Sequence, residues 1–300
     1  DPKGGWTFAG VWHGWPVSDC TAEAILAMLE APEHRPSRAM VEDAVRFILK
    51  RQNADGGFGS YEAKRPRRIE LEWLNPAEMF GDSMTEHSYL ECTVSCLTAL
   101  VRVREHFPDV TPRAIDRAVE RAARFAREAQ HDDGKWPTAW GVGYIYATMF
   151  GVRGLLAAGA TPDDPAVRKA CRWLLERQLP DGSWGESHEG CLRNEWVSMD
   201  HGHPIQTAWA LTTLLEAREP SEAPLERAAA WLAAEQRDDG EWPEREMVGI
   251  FFHTALLHYR HYKRYFPVWA LGLYEQHSKR YEASRGADER TAATATAPAE

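Results

Sequence analysis

The 300-residue chain lacks any run of about eighteen apolar residues, so no segment reads as a membrane-spanning helix. A peripheral contact with a bilayer is compatible with that absence. Basic charge is not in excess: 35 Lys and Arg face 45 Asp and Glu, for a formal net charge of −10. The charges alternate in sign on what read as solvated helix faces, which argues against a nucleic-acid partner. Cysteine is scarce, at Cys20, Cys92, Cys96, Cys171 and Cys191. The number is odd and no spacing resembles a zinc knuckle, so reduced thiols in a cytosol-facing protein are expected. No signal peptide and no initiating Met stand before Asp1, so the chain reads as cut from something longer. No alternating polar–apolar run reads as a strand.

Hydrophobic residues make up 44% of the chain, enough for one large domain or two small ones with a real core. Tryptophan, with 13 copies, is well above average usage, which calls for a structural device or a lined cavity. A repeat accounts for part of it. Four segments share Ala, then Phe or Trp three residues on, Gln five further, Asp-Gly three further, and Phe or Trp two further. They are Ala44, Phe47, Gln52, Asp55, Gly56, Phe58; Ala122, Phe125, Gln130, Asp133, Gly134, Trp136; Ala170, Trp173, Gln178, Asp181, Gly182, Trp184; and Ala228, Trp231, Gln236, Asp239, Gly240, Trp242. Ala and the first aromatic share a helix face. Gln ends the helix, and Asp-Gly turns the chain with Gly at positive φ. The last aromatic is expected to fold back on the helix end. The Gln side chain is expected to bond free backbone N–H groups of the next helix. The repeat braces a fold and carries no chemistry itself.

Between the repeats lie more apolar helical stretches, at about Thr21–Glu30, Glu86–Val103, Gly141–Ala158, Pro204–Ala217 and His253–Tyr274. Polar outer helices alternating with apolar inner ones predict an all-α fold, an α/α toroid whose inner helices line a central cavity. The toroid domain spans residues 1–283. Residues 284–300, rich in Ala, Thr and Pro, read as a disordered tail.

The segment His13-Gly14-Trp15-Pro16-Val17-Ser18-Asp19-Cys20-Thr21-Ala22-Glu23 is the sharpest candidate for chemistry. Asp19 stands where a helix begins, and taken alone it reads as an N-cap. Trp12 and Trp15 open a second reading, in which aromatic neighbours desolvate the carboxyl and raise its pKa.

Ser18-Asp19-Cys20-Thr21-Ala22-Glu23 resembles the acid motif of the oxidosqualene cyclases, the lanosterol and cycloartenol synthase family, and the four repeats resemble that family's Gln-Trp motifs. Lys3-Gly4-Gly5-Trp6, Asn75-Pro76-Ala77-Glu78-Met79-Phe80-Gly81-Asp82 with Glu91-Cys92-Thr93, and Phe266-Pro267-Val268-Trp269-Ala270-Leu271-Gly272 fit in the family's order. The likeness covers the family's C-terminal half. It implies that Asp19 protonates the epoxide of 2,3-oxidosqualene, with Cys20 and Cys92 hydrogen-bonded to it. It also implies that Phe8, Trp140 and Phe251, with Phe80 and Tyr259, face developing carbocations through their ring quadrupoles. Tyr61 matches a Tyr that removes the last proton with an upstream His. Val17 resembles lanosterol-type members and His13 cycloartenol-type ones, so the product leans towards lanosterol. Phe252 departs from a usual Asn, and Met149 from a residue often aromatic. No cofactor and no metal are implied. The implied partners are the lipid substrate, the upstream domain of the same enzyme, and a membrane surface on the cytoplasmic side. The chain alone is expected to fold poorly or turn over weakly.

Three rivals stand beside this reading. A squalene–hopene type cyclase protonates an alkene and carries a denser Asp cluster at the acid. A zinc prenyltransferase toroid needs Asp, Cys and His on a metal. A helical scaffold without catalysis is the third. His131-Asp132-Asp133 belongs to a repeat turn, and Asp163-Asp164 before Pro165 reads as a helix start. His253, His258 and His261 are placed on the last helix, without the carboxylates that would complete a metal site.

Overall fold

The computed structural model describes residues 2–10, 12–64, 73–74, 85–251 and 254–295. Phe80, the rest of the Asn75–Asp82 segment, Phe252 and His253 lie outside them. The described chain is predominantly α-helical, with helices in two kinds. Helices α1 (Ser18–Glu30), α3 (Leu90–His106), α5 (Tyr144–Ala157), α8 (Pro204–Glu216) and α10 (Tyr262–Ala295) pack in sequence, each against the next. Most residues of α3, α5 and α8 are buried whichever way they point, which is the mark of an inner helix. Helices α2 (Arg38–Leu49), α4 (Pro112–Glu128), α6 (Pro165–Leu175) and α9 (Glu222–Glu235) bury one stripe of Ala, Val, Leu and aromatics against that inner row. A short helix, α7 (Glu189–Arg193), lies between α6 and α8.

Local chemistry sets the helix starts. The Ser37 side chain accepts from Met40 N–H at the head of α2. Asp164 accepts from Ala166 N–H at 2.9 Å ahead of Pro165, the helix start read from the sequence. His203 caps α8 through Nδ1, 3.2 Å from Ile205 N–H.

The repeats build the joints between the layers. Gly56, Gly134, Gly182 and Gly240 all sit at positive φ, between +81° and +110°. The indole N–H groups of Trp136, Trp184 and Trp242 donate to Ala126, Leu174 and Leu232 carbonyls, so the last aromatic does fold back on its own helix end. The Gln bond runs the other way from the one expected. Gln52 Nε2 donates to the carbonyls of Gly56 and Ala118, Gln130 to Gly134 and Ala166, and Gln178 to Gly182 and Pro224. It therefore ties its own turn to the next outer helix through acceptors, because that helix presents a carbonyl to it rather than a free N–H.

Two short antiparallel hairpins also depart from the sequence reading. β1 (Trp6–Thr7) pairs with β2 (Pro16–Val17), and β3 (Gly249–Phe251) pairs with β4 (Ala255–Leu257). The second replaces the expected start of the last helix, which begins at Tyr262, so His258 precedes α10. A short apolar run without clear periodicity reads equally as strand or helix. At the other end, helical backbone continues to Ala295, where a disordered tail was expected from 284. The Ala, Glu and Arg of that stretch are strong helix formers.

Candidate active site

One cavity, of about 940 Å³, runs between α1, α3, α5, α10 and the hairpin β3–β4. Its lining includes Phe8, Val17, Asp19, Cys20, Tyr61, Trp140, Phe251 and Tyr259, eight of the eleven residues singled out above. Cys92 lies behind this wall, fully buried. His13 is exposed in a neighbouring cleft with Trp15 and Arg51, its ring 6.1 Å from that of Tyr61. Phe80 lies outside the described residues.

Asp19 sits in the first turn of α1, two residues past the N-cap position, which Val17 occupies without a side-chain cap. The plain capping reading therefore does not hold. The Asp19 carboxyl accepts from Cys20 N–H at 2.7 Å, and the thiols of Cys20 and Cys92 hydrogen-bond to it as well. Burial raises its pKa above the ordinary Asp value, and these bonds pull against that rise. Part of the residue faces the cavity while protein packs closely around the rest. Burial first, and then the carboxyl itself, push the Cys20 thiol up to about 12, and the Cys92 thiol also lies well above its usual value. Both stay protonated donors at neutral pH. The Trp140 indole hydrogen-bonds Cys92 in turn, so acid, thiol and aromatic form one chain of contacts.

The aromatic wall is held by backbone. Trp140 precedes α5, and its carbonyl accepts from Ile250 N–H at 3.1 Å, joining it to β3. Its ring lies 5.0 Å from Phe251 and 5.1 Å from Tyr89. Glu91, buried on α3, accepts from Ala139 N–H at 2.8 Å, Trp140 N–H at 3.1 Å and Thr138 Oγ1 at 3.1 Å. Glu186 does the same at the head of α5, accepting from Tyr144 and Ile145 N–H at 2.8 and 3.0 Å. Glu86 accepts from Ser60 and Tyr61 N–H, and Ser18 N–H donates to Ser60 C=O at 3.0 Å, so Tyr61 is tied to the start of α1. Burial raises the Tyr61 phenol.

The sequence reading missed the rest of the lining. Glu23, one turn below Asp19, accepts from Ser95 Oγ at 2.7 Å. Tyr262 stacks on Tyr259 with ring centroids 4.6 Å apart, and Tyr265, Phe266 and Trp269 continue the wall. Their spacing along α10 is a helical aromatic stripe and was open to detection.

A protein-family model, the squalene-hopene cyclase C-terminal domain, matches residues 2–276. The chain belongs to that family. Lanosterol synthase of Mus musculus is 38% identical over 280 residues, covering 90% of this chain and 38% of that protein. Cycloartenol synthase of Dictyostelium discoideum is also 38% identical, covering 91% of this chain and 40% of its own length. The chain thus spans about two fifths of the curated relatives it matches. Among solved structures, ent-copalyl diphosphate synthase from Streptomyces platensis superposes with a TM-score of 0.59 at 20% identity, over 90% of this chain and 42% of that one, a likeness of fold alone. Family members are thus expected to share the two-layered helical fold described above. Among the described residues no helix is long and apolar enough to cross a membrane.

Proposed function

We propose that this chain is the acid-bearing half of a triterpene cyclase acting on 2,3-oxidosqualene, and that its helices close into an α/α toroid around the cavity. The observation that carries the reading is the Asp19 carboxyl, its pKa raised by burial, bonded by two thiols and facing an aromatic cavity. A neutral carboxylic acid in a dry site can donate its proton to the epoxide oxygen as the ring C–O bond breaks. The carboxylate left behind is stabilised by Cys20 N–H and by the Cys20 and Cys92 thiols, which keeps a desolvated acid strong enough to react. The positive charge passes from carbon to carbon as each alkene attacks the last cation. The faces of Trp140, Phe251, Phe8 and Tyr259 offer about 0.5–2 kcal/mol each to such a cation and no nucleophile. Tyr61, with a His from outside this chain, takes the final proton. Val17 favours a lanosterol-type product over a cycloartenol-type one. Substrate reaches the site from a membrane surface on the cytoplasmic side.

The acid motif carries one Asp, which favours an epoxide over the far less basic alkene of the squalene–hopene reaction. Feeding each substrate to the full-length polypeptide decides between them. Turnover of 2,3-oxidosqualene, lost in Asp19→Asn with the fold intact, is the expected result. Turnover of squalene alone, or activity in Asp19→Asn, overturns the reading.

A further inference from the structure

Between the last repeat and the hairpin β3–β4 runs a short strap, residues 241–248, whose charges the cavity chemistry leaves unused. Trp242 anchors its start: the ring is buried and its indole N–H donates to Leu232 O at 2.8 Å. Val248 anchors its end, where the carbonyl accepts from Val142 N–H at 2.7 Å. Between these anchors, three consecutive charged side chains reach three different parts of the fold. Arg245 pairs with Glu235 at the end of α9, at 2.9 Å. The Glu246 carboxylate meets His201 Nε2 at 3.0 Å, and its carbonyl accepts from His203 Nε2 at 3.1 Å, just ahead of α8. Glu244 turns towards the hairpin and α10.

One Glu244 oxygen bonds His258 Nε2, and the other accepts from Lys263 Nζ at 2.7 Å. The Lys263 bond, with that of His258, holds the Glu244 carboxyl below its usual value. These two partners bracket Tyr259 and Tyr262, the stacked pair of the cavity wall. Arg264, next in the chain, pairs with Glu241 at 2.9 Å and ties the strap to α10 a second time. A Cβ on Gly249 would come within 2.4 Å of the Tyr259 ring, so β3 rests on that ring, and Phe251 stands two residues further along the same strand. The sequence reading set His258 aside for want of a carboxylate beside it; the fold brings one from fourteen residues upstream. Ion pairs as exposed as these add little to overall stability. Their effect lies in placement, because one carboxylate bonded at both ends of residues 258–263 fixes where the Tyr259 ring stands under β3.

We infer that Glu244 is a positioning residue for the later ring closures: it clamps His258 and Lys263 so that Tyr259 and Phe251 keep their faces on the cavity. The inference rests on the cyclase reading above and deepens it. A ring displaced by about 1 Å stabilises a passing cation less well. The cation then loses a proton to water from the neighbouring carbon, and the C–H electron pair becomes an alkene before the next ring closes. Loosening the clamp therefore widens the product set and leaves the first protonation at Asp19 largely untouched.

Product analysis and hydrogen exchange on the full-length polypeptide test it, with Glu244→Ala and 2,3-oxidosqualene as substrate. Substrate consumption is expected to stay within about threefold of the parent, while the share of partly cyclised products rises at least about threefold. Exchange over residues 255–262 should rise about three- to tenfold. Glu42→Ala is the control, since it removes an exposed pair with Arg38 on α2, and it should move neither readout. If Glu244→Ala does not fold, Lys263→Ala and His258→Ala each remove half of the clamp and carry the same test with smaller shifts. The reversed pair, Glu244→Lys with Lys263→Glu, should bring the product share part-way back. A product set equal to the parent's overturns the proposal even where Tm falls, because the pairs then only brace the fold. A parent that does not consume 2,3-oxidosqualene refutes the chemistry; exchange over residues 255–262 still decides the clamp, and unchanged exchange overturns it.

Discussion

Asp19, half-buried, and Glu91, buried, are carboxyls on neighbouring inner helices, and desolvation raises both of their pKa values. Their surroundings part them. Glu91 also touches the cavity, but its carboxyl accepts from two N–H groups and a hydroxyl of the segment before α5, so it holds the Trp140 loop. Asp19 is bonded only from its own helix start and by two weak thiol donors, and it stays half-buried at the cavity. A carboxyl that ties down a loop distant in sequence positions; one held at its own helix start by weak thiol donors beside a hollow can react.

The largest expected effect tests that division directly. In the full-length polypeptide Asp19→Asn should cut turnover by about a thousandfold or more, because an amide cannot donate a comparable proton. Its Tm should stay within about 2 °C of the parent. Glu91→Leu should do the reverse in emphasis. It strands two buried N–H groups at about 1–3 kcal/mol each, for a fall in Tm of roughly 5–10 °C. Calorimetry and steady-state assays on the pair check both. If Glu91→Leu leaves Tm unchanged, the contrast between the two carboxyls is wrong.

A smaller effect probes the link between acid and wall. Cys92→Ala removes a donor from the Asp19 carboxylate and an acceptor from the Trp140 indole. At about 1–1.5 kcal/mol per bond, turnover should drop roughly tenfold. The apparent pKa of the acid limb should move up, since a stabiliser of the charged form is gone. A pH–rate profile that stays in place would show the thiol to be packing only.

How much of this was legible beforehand follows from how each feature is encoded. The repeats were readable because each joint uses the same residues at the same spacing, and the Asp-Gly turns and back-folded tryptophans sit where that pattern puts them. The segment around Asp19 was readable as a unit because it is contiguous from Ser18 to Glu23, and its place at the head of α1 beside the cavity is what the proposed role of Asp19 builds on. The hairpin that carries Phe251 was not, since Ile250 to Leu257 has too few residues to separate the two periods. Glu91 and Glu186 were not either. A lone Glu reads as a solvated face, and what makes each structural is a set of N–H groups roughly 40 to 50 residues away in sequence. The polarity of the Gln bond depends on which backbone groups the next helix presents, which is a tertiary fact.

Glu186 supplies the finest test, because its number lies in reach of titration. Burial lifts its carboxyl to about 7 although two N–H groups at the head of α5 favour the charged form. A pKa raised on folding means that the native state binds the proton more tightly than the unfolded one. The stability this contributes is fully present below the ordinary Glu value and is lost as pH rises through about 7. The difference corresponds to about 3 kcal/mol across that window. Tm of the parent should therefore fall between pH 5 and pH 8 by several degrees more than Tm of Glu186→Gln, which keeps an acceptor for one N–H but cannot ionise. Other groups titrate in the same range, so the comparison lies in the difference between the two curves. Parallel curves would mean that Glu186 is already charged in the folded state, held by the helix head, and that burial is the weaker of the two forces there.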